Sequence, residues 1–228
     1  MLAERLITEE KMDDPALDAA TYAHVLHDLA RVNRATMAYR PTLRFLSRAA
    51  ARLRRFRLLD VGFGHGDMLR RIAGWAAQRS IAVELTGIDL NPNSVAAARA
   101  ATPPDMPIAY RVGDYAELAD DGYDFVISSL VAHHMTREQL VRFLAFMERE
   151  ARLGWFVNDL HRHGFAYRGF PLLARTMGWH PIVREDGQTS IARAYRPHEW
   201  APLLEDAGVA QARIRRTFPF RLCVERIR

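Results

Sequence analysis

Apolar residues along the chain fall into two rhythms that alternate from Arg57 onward. Short apolar runs at Leu58–Val61, Leu85–Leu90, Ile108–Val112, Tyr123–Leu130 and Trp155–Leu160 have the length and bounding of buried strands. Between them, residues 67–79, 92–101 and 137–151 repeat apolar positions at helical spacing. Strand, helix, strand in repetition predicts a parallel sheet with right-handed crossovers. Residues 211–218 and 221–226, with Pro219 at the turn, predict a closing antiparallel hairpin. The expected fold class is therefore α/β.

The two ends of this pattern read differently. Asp13-Asp14-Pro15 is a helix-entry signal, and Leu17, Tyr22, Val25, Leu26, Leu29 and Val32 predict a helix over about 18–37. Arg40-Pro41 is expected to break it, and a second helix is expected over 42–53. Residues before Met12 read as a loosely docked start. The segment His161–Tyr195 mixes aromatics such as Phe165, Phe170 and Trp179 with histidines and arginines, as suits a lid or substrate wall. The expected organisation is a helical cap over 1–56 and a core over 57–228, with 161–197 as an insertion after the fifth strand.

Chemistry concentrates at the strand ends. The first strand runs into Gly62-Phe63-Gly64-His65-Gly66 and then a helix. Glycine tolerates positive φ and lets a ligand approach the backbone, and the next helix offers unpaired N–H groups. Asp67 stands where the dinucleotide fingerprint would place its third glycine, which argues against NAD or FAD. The second strand ends at Asp89-Leu90, an acid suited to ribose hydroxyls; the third ends at Gly113-Asp114-Tyr115, where a carboxylate and a ring suit a base. The fourth ends at Ser128-Ser129-Leu130-Val131-Ala132-His133-His134.

Four such tips in this order resemble the class I S-adenosylmethionine-dependent methyltransferases, from about Arg57 to the C-terminus. The resemblance implies a Rossmann-like seven-stranded sheet with S-adenosylmethionine as cofactor. By position it assigns the methionine part to Gly62, Phe63, Gly64 and Gly66 with Asp60 near the ammonium. The ribose falls to Asp89 beside Leu90, the adenine to Gly113, Asp114 and Tyr115, and the cofactor's flank to Ser129 and Leu130. Asn33, Arg34, Tyr39 and Arg40 of the preceding helices are candidate substrate contacts, although a helix with arginines in water accounts for them equally.

Methyl transfer asks for alignment, exclusion of water and removal of the acceptor's proton. His133 and His134 leave the fourth tip near the expected methyl, and histidine titrates close to neutral pH. A base at His134 competes with a plain capping and pocket-lining role for the pair. Asn158, Asp159 and His161 at the fifth tip are expected to orient a substrate oxygen, or Asp159 to orient a histidine. No recognised metal-ligand spacing joins these groups, and no metal is expected.

Composition narrows the classes further. The chain has 228 residues, enough for a core without staples, and one cysteine, so no internal disulfide forms. No run of about 18 apolar residues or signal pattern occurs, and a cytoplasmic monomer or homodimer is expected. The net charge of +5 rests almost wholly on arginine, with Lys11 the only lysine. No aromatic-rich RNA-binding module accompanies it. The fourth tip lacks the Asn/Asp-Pro-Pro-Tyr of nucleic-acid amino methylases. The expected acceptor is thus a small, largely apolar, phenolic or polyketide-like molecule methylated on oxygen. Methylation on carbon or nitrogen, an RNA or protein acceptor, or a non-catalytic cofactor-binding subunit are the alternatives.

Overall fold

A computed structural model describes residues 2–228. Seven strands form one sheet in the order β3-β2-β1-β4-β5-β7-β6. Strands β1 (Arg55–Val61), β2 (Ala82–Asp89), β3 (Ile108–Val112), β4 (Phe125–Ser129) and β5 (Gly154–Leu160) pair in parallel. Strand β7 (Arg221–Ile227) joins β5 antiparallel and carries β6 (Arg213–Thr217) on its outer edge. The crossover helices are α3 (Asp67–Ala77), α4 (Pro92–Ala100) and α5 (Arg137–Glu150), each within two residues of its expected bounds.

Alternation along the central strands sends side chains to two apolar layers. On β1, Leu59 and Val61 join Phe143, Leu144 and Met147 of α5, whereas Phe56 and Leu58 join Leu69 and Ile72 of α3. The chain visits β1, β2 and β3 in one direction and returns to place β4 beside β1. Crossovers therefore leave on opposite sides at β1 and β4, and the strand ends part there to open a crevice.

The preceding helices are α1 (Ala19–Ala35), capped by Asp18, and α2 (Tyr39–Ala49). Pro41 does not break a helix as expected; it sits in the first turn of α2, where its missing N–H has no helical acceptor to lose. The break falls at Met37, in the left-handed region with φ 54°. Helix α2 covers one sheet face with Phe45 and Leu46 fully buried.

Segment 161–197 holds two helices, α6 (Gly164–Thr176) and α7 (Pro181–Arg193), before α8 (Pro197–Asp206). Ala174, Trp179 and Val183 of this segment pack with Val25 and Val32 of α1 in a third apolar cluster, so the segment and α1 together wall the crevice. The segment before α1 is not loose. Leu6 donates to the Ala192 carbonyl, Asp186 accepts from the backbone of Lys11 and Met12, and Glu10 is buried.

Candidate functional site

A cavity of about 490 Å³ lies over the C-terminal ends of β1, β2 and β4, under α1, α7 and the N-terminal segment. Its size falls within the range of small-molecule pockets.

The turn after β1 is built by glycine because the backbone demands it. Gly62, Gly64 and Gly66 have φ of 73°, 52° and 72°. A Cβ on Gly62 would lie 2.3 Å from Val131 Cγ2, and one on Gly66 2.4 Å from the Tyr110 hydroxyl. The Gly64 N–H donates to Asp89 Oδ2 at 2.9 Å, and the Asn91 N–H to Asp89 Oδ1 at 2.9 Å, so the acid of β2 braces the turn. Behind the turn, Asp67 at the start of α3 accepts from the Tyr39 hydroxyl at 2.7 Å and the Asn33 amide at 3.1 Å.

Asp60 is the outlier. Its side chain is 1% exposed, Oδ1 has no hydrogen-bond partner, and the residue lines the cavity. Burial, with the negative charges of Asp67 and Asp89, pushes its carboxyl well above the usual carboxylate range. A buried acceptor without a donor is the arrangement that a ligand ammonium would satisfy. Burial likewise raises the Asp89 carboxyl, with opposing donation from Asn91 and Gly64.

Of the residues expected to hold the cofactor, Asp60, Gly62, Phe63, Gly64, Asp89, Leu90, Gly113, Asp114, Tyr115, Ser129 and Leu130 all line this cavity. Gly66 shapes the turn without lining it. Asp114 accepts from the Ala116 N–H and caps a short 3-10 turn. The Tyr115 ring packs on Phe143 and Phe146 with centroids 4.9 and 4.8 Å away. The Ser129 hydroxyl is buried without a partner. An unpaired acid, an unpaired hydroxyl and a glycine cradle that side chains would fill make this donor and acceptor set fit S-adenosylmethionine.

The substrate contacts expected from the helices are redistributed. Arg34 and Arg40 are exposed and, like Tyr39 and His161, do not line the cavity. Tyr39 points at Asp67 instead, and His161 stands beside His163 with ring centroids 5.6 Å apart. Asn158 lines the cavity, fully buried, donating to the Ala38 carbonyl at 2.8 Å. Arg221, which the sequence did not mark, lines it too; burial lowers its pKa and its Nη1 has no partner.

The far wall carries a chain of titratable groups. His133 Nδ1 is 2.7 Å from Asp159 Oδ1 and its Nε2 is 3.5 Å from Glu10 Oε1. Burial opposes charge on that ring, yet Asp159 and Glu10 outweigh it and raise its pKa to about 9. These two carboxylates thus favour the charged form of the His133 ring. The Asp159 carboxylate also takes the N–H of His133 at 2.8 Å, and it does not itself line the cavity. His134 Nδ1 is 3.0 Å from Asp13 Oδ2 and its Nε2 3.7 Å from Glu10 Oε1. Glu10, Met12 and Asp13 all line the cavity, although no periodicity or motif singles out Glu10 or Met12, and Asp13 reads only as part of a helix-entry signal.

Residues 58–154 match a family model described as a methyltransferase domain, which spans β1 to the start of β5. No curated protein matches the chain. Among solved structures, magnesium protoporphyrin IX methyltransferase from Synechocystis PCC 6803, with bound S-adenosylhomocysteine, is similar over 94% of this chain and 90% of its own, at 19% identity and TM-score 0.59. A SAM-dependent methyltransferase from Aquifex aeolicus is similar over 92% and 97%, at 18% identity and TM-score 0.63. Human N-acetylserotonin methyltransferase, in complex with SAM, is similar over 92% of this chain and 56% of its own, at 16% identity and TM-score 0.64. At these identities the likenesses establish the fold, and the family match places a methyltransferase domain over residues 58–154 of this chain.

Proposed function

We propose that the enzyme methylates an oxygen of a small, largely apolar acceptor. The observation that carries this reading is the polarity of the chamber beyond the cofactor residues. Met12, Val25, Leu26, Leu29, Val183 and Ile191 supply apolar wall, while ionisable groups gather at one end in Glu10, Asp13, His133 and His134. An apolar body with one ionisable oxygen matches that division.

S-adenosylmethionine supplies an electrophilic methyl group on a sulfonium. The Gly62–Gly66 turn and Asp60 suit its amino-acid part, Asp89 its ribose, and Asp114 with Tyr115 its adenine. Ser129 and Leu130 at the β4 tip border the space between that region and the acceptor chamber. Arg221 offers an unpaired guanidinium N–H to an acceptor carbonyl or oxyanion, and Asn158 stiffens the wall beside it. The titratable end of the chamber takes the acceptor's proton as the carbon–sulfur bond breaks and the carbon–oxygen bond forms.

Alkylphenols, enolic polyketide lactones and matched aniline and thiophenol analogues, incubated with isotopically labelled S-adenosylmethionine, test the reading. Label on oxygen of the apolar hydroxyl compounds is expected; label confined to nitrogen, carbon or RNA would replace it. A small-molecule acceptor also fits the neighbours named above, whose names give magnesium protoporphyrin IX and N-acetylserotonin.

A further inference from the structure

We infer that Glu10, His133 and His134 form a binding site for one divalent transition-metal ion at the acceptor end of the chamber. Three ligand-competent atoms, Glu10 Oε1 and the two Nε2 atoms, lie within 4.8 Å of one another. Both imidazole nitrogens approach the same carboxylate oxygen, at 3.5 and 3.7 Å. A tetrahedral ion with bonds of about 2.0–2.1 Å sets its ligands roughly 3.3–3.4 Å apart, so small adjustments bring these three into coordination.

The support behind the rings is the stronger argument. Each histidine has Nδ1 occupied by a carboxylate, His133 by Asp159 at 2.7 Å and His134 by Asp13 at 3.0 Å. That arrangement leaves Nδ1 facing its carboxylate and turns Nε2 toward the shared oxygen, where a bound ion would take the place of any Nε2 proton. Carboxylates in this outer position are the usual backing of metal-bound histidines. A buried pair stabilised by ionic contact alone needs one such partner; here two rings carry the same device and converge.

Three carboxylates, Glu10, Asp13 and Asp159, surround the two rings, and the nearby Arg193 guanidinium is spent on the carbonyls of Thr8, His133 and His134 at 3.1, 3.2 and 3.2 Å, approaching Glu10 only to 3.9 Å.

Two nitrogens and one carboxylate leave a fourth position, and all three residues line the chamber. A divalent charge there favours the ionised form of an acceptor hydroxyl. His134 would then be a ligand, and the acceptor's proton would pass to solvent rather than to its ring. This inference deepens the oxygen-acceptor reading, yet the site itself is read without turnover.

The test uses the full chain without a polyhistidine tag, stripped with chelator and dialysed, then titrated with Co²⁺ followed by its visible spectrum. Zn²⁺ loading is counted by elemental mass spectrometry. One ion per chain with a tetrahedral cobalt spectrum is expected. Glu10→Gln and His134→Gln should abolish stoichiometric loading. Asp159→Asn, which alters the support behind His133, should weaken it by about 10–100-fold. Asp13→Asn, at a half-exposed carboxylate, repeats that test with less risk to folding. Wild-type protein that takes up no ion, or uptake unchanged by Glu10→Gln and His134→Gln, overturns the site. Calorimetry with S-adenosylhomocysteine on the same samples reads the cofactor pocket separately. Chelated enzyme that turns over at the full rate while His134→Gln is inactive overturns the ion and assigns His134 as the base.

Discussion

The Asp89 carboxylate accepts the Gly64 N–H at 2.9 Å, so the acid at the end of β2 and the glycine turn after β1 form one rigid unit. Replacing Asp89 frees the turn and removes the proposed ribose acceptor together. Asp89→Ala is expected to weaken S-adenosylhomocysteine binding by about 1–3 kcal/mol, while Asp89→Asn, which keeps an acceptor oxygen, loses less. Equal affinity of wild type and Asp89→Ala would show that strand two does not contact the ligand.

Asp60 predicts a linked proton. Its folded carboxyl titrates above the usual value of about 3.9 because it is buried among other acids. An ammonium docking on it favours the ionised form, lowers that pKa and expels the proton. Cofactor affinity should therefore rise with pH through the raised titration and level off above it. The same shift makes the protonated group's contribution to folding fully present below the usual value and lost as pH rises through the raised one. Calorimetry in two buffers of different ionisation enthalpy should show proton release for wild type and none for Asp60→Asn. Equal release from both proteins would place the ammonium elsewhere.

Arg221 predicts a selective effect on the acceptor. Its guanidinium is buried with Nη1 unpaired, and it borders the chamber beside Asn158. Arg221→Met keeps much of the volume and removes the donor. The expected result is a raised acceptor KM with unchanged S-adenosylhomocysteine affinity. A variant that loses both equally, with a lowered melting temperature, would mark Arg221 as a structural residue only.

The positive charge is expected to play no part in substrate capture. Arg34 and Arg40 are exposed outside the cavity, and Arg48 and Arg215 are engaged by Glu225. Contacts to phosphates impose a steep loss of affinity with salt, whereas turnover on an apolar acceptor should vary little between low and moderate ionic strength. Salt-sensitive RNA binding with methyl incorporation into RNA would reverse this.

What the sequence made legible was local. An apolar run before Gly62 and an acid at Asp89 announce themselves within a few residues, because glycine turns and buried parallel strands have short-range signatures. Pro41 was misread because a proline that breaks a helix and one that opens a helix differ only in where the preceding helix stops, and that was decided at Met37. Asp159 was expected to orient a histidine, and the contact falls on His133 while His134 is held by Asp13. The contribution of Glu10 was invisible, since its partners His133 and Ser190 lie more than a hundred residues away in the sequence. A run of Glu, Lys and Asp before α1 has the composition of a solvated end. Only the docking of Lys11 and Met12 on Asp186 turns it into a wall of the site.

The central claim is that the crevice over β1, β2 and β4 is an S-adenosylmethionine site, and ligand titration by calorimetry addresses it most directly. S-adenosylhomocysteine and NAD are titrated in parallel into the full chain, with Gly62→Val as the blocked control because its side chain would collide with Val131. The account predicts saturable binding of S-adenosylhomocysteine at one site per chain, no heat from NAD, and loss of binding in a folded Gly62→Val. Saturable NAD binding, or wild-type protein that ignores S-adenosylhomocysteine, would contradict it.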